Sequence, residues 1–126
     1  MEEIQDFLNN IKKAEKPIIV EGIRDKKALE KLGLNNIITL SKKPLFQTIE
    51  DIAPVKEIII LPDFDKAGKK LYGKLSKLCK QNKIKVDNSF REFLLKTKLS
   101  HIEGISTYIK NNKRNIPNVI PNWEWE

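Results

Sequence analysis

Two short runs of aliphatic, mostly β-branched residues decide most of what this chain can fold into. Pro17-Ile18-Ile19-Val20 passes into Glu21-Gly22, and Glu57-Ile58-Ile59-Ile60-Leu61-Pro62 passes into Asp63-Phe64-Asp65. Each run has strand length and is apolar almost throughout, so each is expected as a strand buried on both faces, the pattern of a parallel sheet with helical crossovers. Loops at the carboxyl ends of adjacent parallel strands share one crevice, and ligands bind there. Glu21 is therefore expected to face Asp63 and Asp65. Side chains two apart in an extended segment point the same way, which presents both aspartates to one ion and turns Phe64 into the protein. Three carboxylates gathered in this way repel, and a hard cation relieves the repulsion. Oxygen-only ligation favours Mg2+ or Mn2+, held by one or two carboxylates with substrate phosphates completing the shell. The third carboxylate is then left for proton transfer. Helix capping is the competing use of Asp25 and Asp65, which both stand where an N-cap would go.

At 126 residues the chain is expected to form one domain. No apolar run approaches the length of a membrane span, and the start Met1-Glu2-Glu3 has none of the features of a signal peptide, so a soluble, cytoplasmic protein is expected. Cys79 is the one cysteine, which excludes an internal disulfide or a cysteine-ligated metal cluster. Its neighbours Leu71, Leu75 and Leu78 mark it as a core thiol.

The net charge of +7 is unevenly placed. Residues 1–60 carry ten Lys/Arg against ten Asp/Glu, whereas residues 61–126 carry fourteen against seven, so the whole excess lies in the second half. Lys66 to Lys85 contains eight lysines and no acid. On a helix from Asp65 to Gln81, Lys66, Lys69, Lys70, Lys74, Lys77 and Lys80 fall within roughly a 140° arc at about 100° per residue. Gly68, Leu71, Leu75, Leu78 and Cys79 fall opposite, as a core-facing stripe. A solvated helix normally interleaves charges of both signs, and this one does not. A phosphate backbone tracked along Lys66, Lys69, Lys70, Lys74 and Lys77 would be delivered to the acids that precede them, with salt-dependent affinity. The expected partner is RNA or DNA.

The remaining elements follow from periodicity. Ile4, Phe7, Leu8 and Ile11 give an amphipathic N-terminal helix over 2–15, stopped by Pro17. A first strand at 17–21 leads to a helix capped by Asp25, with Ala28, Leu29 and Leu32 inward and Gly33 as its stop. A second strand spans Asn36 to Leu40, and Pro44 opens a short helix with Leu45, Ile49 and Ile52 buried. The third strand is 57–62, and Ile84 to Asp87 is a fourth; Phe90 to Leu95 shows no clear period. Ile102, Ile105, Tyr108 and Ile109 suggest a last helix over about 100–111, before an extended tail ending Trp123-Glu124-Trp125-Glu126 that docks on the chain itself or on a second copy. His101, the sole histidine, lies at that helix's start and is read as structural.

The order strand-Glu-Gly, helix, strand, helix, strand-Asp-x-Asp, helix resembles the Toprim domain, shared by type IA and type II topoisomerases, bacterial primases and related nucleases. Val20-Glu21-Gly22-Ile23-Arg24-Asp25-Lys26-Lys27-Ala28-Leu29 looks like that family's first motif, and Ile60-Leu61-Pro62-Asp63-Phe64-Asp65-Lys66-Ala67-Gly68 like its second. Each follows an expected buried strand, and the resemblance covers roughly Pro17 to Asp87. With the later His101-Ile102-Glu103-Gly104 segment, the chain looks most like small stand-alone archaeal Toprim proteins related to bacterial maturases of 5S ribosomal RNA. The resemblance implies a Rossmann-like α/β fold of about four mostly parallel strands flanked by helices. It also implies Asp63 and Asp65 as metal ligands and Glu21 as a ligand or general acid/base.

No domain supplying a topoisomerase tyrosine is visible, nor the nucleotide-binding and zinc-binding regions of a primase. Cleavage by activated water requires neither. A haloacid-dehalogenase phosphatase would carry its Asp-x-Asp on the first strand rather than the third, and a receiver domain needs a different acidic arrangement. The expected activity is Mg2+-dependent phosphodiester chemistry on nucleic acid, a nuclease with RNA favoured. The alternative is a non-catalytic nucleic-acid-binding module acting as a subunit of a larger complex, and under either reading the expected assemblies are a homodimer or a larger nucleic-acid-processing complex.

Overall fold

The computed structural model describes residues 2–40, 43–96 and 104. The expected helix at about 100–111, His101 and the tryptophan-containing tail lie outside the described residues, except Gly104. In chain order the elements are α1 (Glu2–Ala14), β1 (Ile18–Val20), α2 (Ile23–Glu30), β2 (Ile37–Thr39), α3 (Leu45–Asp51), β3 (Glu57–Leu61), α4 (Lys66–Gln81), β4 (Lys85–Val86) and α5 (Ser89–Leu95). No helix among the described residues is long and apolar enough to cross a membrane.

The four strands form one parallel sheet in the order β2-β1-β3-β4, as the fully apolar runs require. Alternate side chains leave opposite faces of the sheet, and both faces are covered. On one side Ile18, Val20, Ile37, Ile59 and Leu61 pack with Leu8 and Ile11 of α1, Leu29 of α2 and Phe90 and Leu94 of α5. On the other, Ile19, Ile58 and Ile60 pack with Ile49 of α3 and Leu75 and Cys79 of α4. Burial pushes the Cys79 thiol up to about 11, which fits an inert core residue. The chain runs from β1 outward to β2, then returns across to β3 on the other side of β1. That reversal opens the crevice between β1 and β3 at their carboxyl ends.

The structure departs from the sequence pattern at both outer strands, at Phe90 to Leu95 and at Asp25. The outer strands are shorter than Asn36–Leu40 and Ile84–Asp87. Asn36 takes a left-handed φ of 60°, and the Ile84 N–H still closes the end of α4 on the Cys79 carbonyl. The aperiodic stretch from Phe90 is a helix, α5, whose seven residues are too few to display a period but bury Phe90 and Leu94 one turn apart. Asp25 is not the N-cap of α2. Gly22 holds that position, and Asp25, three residues on, reaches back so that the Gly22 N–H donates to its Oδ2 at 3.1 Å. Gly33 does end α2, as expected: at φ 88° it allows the Leu34 N–H to reach the Leu29 carbonyl and its own N–H to reach Glu30.

Lys16, just before β1, ties three elements together. Its Nζ donates to Asp87 Oδ2 at 2.7 Å, beyond β4, and lies 3.3 Å from Glu57 Oε2 at the start of β3. Asp87 in turn accepts from the Ser89 N–H and hydroxyl, starting α5. The hydrogen bond to Asp87 raises the Lys16 pKa against the opposing effect of burial. Burial pushes the Asp87 carboxyl up, but the bonds from Lys16 and Ser89 outweigh it and leave the net value lowered. The Asp87 contribution to stability is thus fully present above its unfolded pKa and lost as pH falls through its lowered folded value. The Lys16 contribution is present below its unfolded pKa and lost as pH rises through its raised folded one. Asp87→Asn is expected to cost about 1 kcal/mol at neutral pH in urea denaturation. The gap from the wild type should close below about pH 4.

Candidate metal centre

β1 and β3 end level with each other, Val20 pairing with Leu61, so Glu21 and Pro62 both stand just beyond the ladder. Pro62 has no N–H to extend it. The next donor, the Asp63 N–H, binds Glu21 Oε2 at 2.8 Å across 42 residues of sequence. The first acid is therefore fixed directly on the backbone of the second. A charged acceptor makes this bond stronger than an ordinary backbone bond.

Beyond Asp63 the chain turns into α4. Phe64 is buried in the core cluster, as the alternation predicts. Asp65 is exposed and is the N-cap of α4, its Oδ1 accepting from the Gly68 N–H at 2.8 Å. Gly68 is needed for its missing side chain rather than for its dihedral angles. A Cβ there would sit 1.8 Å from the Asp63 carbonyl oxygen and 2.5 Å from its carbon. The first turn of α4 thus presses against the acidic turn with no intervening side chain.

Arg91 approaches from the other face of the sheet. It is only 4% exposed, and its Nη1 donates to the Pro62 carbonyl at 2.8 Å, with a longer 3.4 Å contact from Nη2 to the Asp63 carbonyl. The guanidinium carbon lies 5.0 Å from the Phe64 ring centroid and 4.8 Å from that of Tyr72 on α4, a cation enclosed by two aromatic faces. Burial lowers the Arg91 pKa, opposed by attraction to Tyr72, Glu21 and Asp63. It stays charged regardless. The sequence does not single this residue out. Phe90 and Leu94, four apart, place it in a short helix, but no local feature sets its side chain apart from a solvated arginine.

The fold therefore brings Glu21 and Asp63 together but gives Asp65 a cap to hold. Among the described residues no three His, Cys, Asp or Glu side chains gather closely enough to hold an ion. This differs from the expected convergence of three carboxylates, because two of them are drawn to backbone N–H groups, that of Asp63 by Glu21 and that of Gly68 by Asp65. The donor chemistry still fits a hard cation. Carboxylates at the ends of adjacent strands, Glu21 and Asp63, are oxygen donors of the kind Mg2+ accepts when substrate phosphate and water supply the rest of its shell. Lys66, Lys69, Lys70, Lys74, Lys77 and Lys80 are all exposed on α4.

The Toprim-domain family pattern matches residues 15–88. A UPF0292 protein of Methanocaldococcus jannaschii is 37% identical over 110 residues, spanning 82% of this chain and 84% of its own. A UPF0292 protein of Thermococcus sibiricus is 35% identical over 103 residues, spanning 81% and 82%. The solved structure of a protein from Aquifex aeolicus superposes with a TM-score of 0.73 at 34% identity, covering 79% of this chain and 94% of that one.

Two glycines on α4 separate steric need from helix propensity. Gly73→Ala meets open space and is expected to stabilise by about 0.5–1 kcal/mol. Gly68→Ala must push Asp63 away, with an expected loss of about 1–3 kcal/mol. Opposite signs in parallel urea denaturations are the expected result.

Proposed function

Because this chain belongs to the Toprim-domain family, whose function is metal-dependent and concerned with nucleic acid, we propose that it hydrolyses phosphodiester bonds, RNA being the favoured substrate. The observation that carries the reading is the 2.8 Å bond joining Glu21 to the Asp63 backbone at the switch point of the sheet. The exposed lysine face that starts one residue after Asp65 supports it.

In this reading Asp63 and Asp65 would hold Mg2+ or Mn2+ together with substrate phosphate, leaving Glu21 for proton transfer. When bound, the ion supplies charge neutralisation at the scissile phosphate and lowers the pKa of bound water. The chain's residues do the rest. Lys66, Lys69, Lys70, Lys74 and Lys77 bind successive phosphates along the exposed side of α4 and lead the strand to the acidic turn. Water attacks phosphorus, a P–O bond forms and the bond to one sugar oxygen breaks. The proton of the attacking water passes to the Glu21 carboxylate, and the leaving oxygen takes one from solvent.

A second reading has its own support: Asp65 is engaged as a helix cap, which suits a module that binds a polyanion without cutting it. Incubating the full chain with labelled RNA and DNA in Mg2+ or Mn2+ separates the two. The nuclease reading expects cleavage that falls by about 100-fold or more in Asp63→Asn while binding persists. Metal-independent binding without cleavage, unchanged in that variant, would leave the binding module.

The lysine face has a quantitative signature of its own. Replacing Lys69, Lys70 and Lys74 singly by Gln is expected to reduce the slope of log affinity against log salt by about 0.7–0.9 for each phosphate that is no longer neutralised. Fluorescence anisotropy across a salt series measures it. Slopes equal to the wild type would remove α4 from the interface.

A further inference from the structure

We infer that Arg91 is a positioning residue for the acidic turn: its guanidinium fixes the backbone from which Asp63 presents its carboxylate and to which Glu21 is bound. Pro62 and Asp63 carry the first carbonyls beyond the end of β3, where the ladder no longer provides partners. Arg91 supplies donors to both from one side, and the 2.8 Å bond to Pro62 is the stronger, the 3.4 Å contact being near the outer limit for a hydrogen bond. The Asp63 peptide is thereby restrained at each end. Its N–H is taken by Glu21, and its carbonyl lies between Arg91 and the bare Cα of Gly68.

Arginine suits this place for reasons a lysine does not share. A planar fork reaches two successive carbonyls while its faces lie against Phe64 and Tyr72, whereas an ammonium is a single, strongly hydrated point charge. The cost of burying the charge is reduced, though not cancelled, by attraction to Tyr72 and to the nearby carboxylates of Glu21 and Asp63. The two rings come from different places: Phe64 from the acidic turn itself and Tyr72 from α4. Arg91 therefore joins the turn, the lysine helix and α5 at one point.

A purely electrostatic role and a positioning role predict opposite signs. Removing a positive charge beside two acids would tighten cation binding, whereas losing the geometry would weaken it. The full chain is compared with Arg91→Gln, Arg91→Lys and Tyr72→Leu, first without metal by amide hydrogen exchange at Asp63, then by Mn2+ titration. In both arginine variants, exchange at Asp63 is expected to rise about tenfold relative to the core amides of Ile59 and Ile60. Mn2+ affinity should fall by about tenfold or more. Tyr72→Leu keeps the guanidinium and removes one ring face, so a rise of about threefold is expected. Unchanged Asp63 exchange in folded Arg91→Gln, or Mn2+ bound as tightly as by the wild type or more so, overturns the assignment. Should both arginine variants unfold, Tyr72→Leu decides, and unchanged exchange there is the overturning result. The metal arm rests on the metal-centre reading above. A wild-type chain that binds no Mn2+ would refute that reading, and the exchange comparison would still decide the role of Arg91.

Discussion

Three residues, Ile18 to Val20, are hydrogen-bonded on both sides to parallel neighbours, and the rest of the molecule is arranged around that fact. Parallel pairing forces each connection to travel back along the sheet, so helices must cover it. It also brings successive strand ends out on one edge. Because β1 is central while β2 and β3 lie on either side of it, the chain reverses direction there. Two carboxylates far apart in sequence come to one crevice as a result. The topology brings them together, and the bond from the Asp63 N–H to Glu21 then joins the two motifs directly.

What holds the acidic turn once it is there is a set of unlike contacts. Glu21 takes a backbone N–H, α4 presses its glycine against a carbonyl, and Arg91 reaches through from the opposite face. The chain of restraint extends further, since α5 is started by Asp87, which Lys16 ties to the beginnings of β1 and β3. The two ends of the sheet are thus linked through hydrogen-bonded side chains as well as through the strands. These contacts add to the hold that the strand before the turn and the helix after it already have on it.

The sheet, its parallel sense, the crossover helices and the burial of Phe64 were legible in the sequence because each rests on a pattern of neighbouring residues. Uniformly apolar runs, three-to-four spacing and alternation all survive into the structure. Glu21 and Asp63 were legible as a pair for the same reason, since strand ends can be read and parallel pairing then aligns them. What could not be read depended on contacts distant in sequence or on choices between hydrogen-bond partners. Arg91 lies 28 residues from Asp63, and nothing local distinguishes it from a solvated arginine. Asp65 could serve a helix end or an ion, and only the position of the Gly68 N–H shows which hydrogen bond it makes. Asp25 acts from inside its helix rather than ahead of it, because the residue at the cap is a glycine with no side chain to offer.

The outer strands carry a different consequence. Among the described residues, the sheet ends on one side in the three residues of β2 and on the other in the two of β4. An exposed strand edge is a row of unpaired backbone groups on which another chain can add itself, and long flat edges are where aggregation begins. Edges this short give an incoming strand very little ladder to extend. The longest of the described strands, β3, lies inside the sheet, so this apolar segment is flanked by β1 and β4.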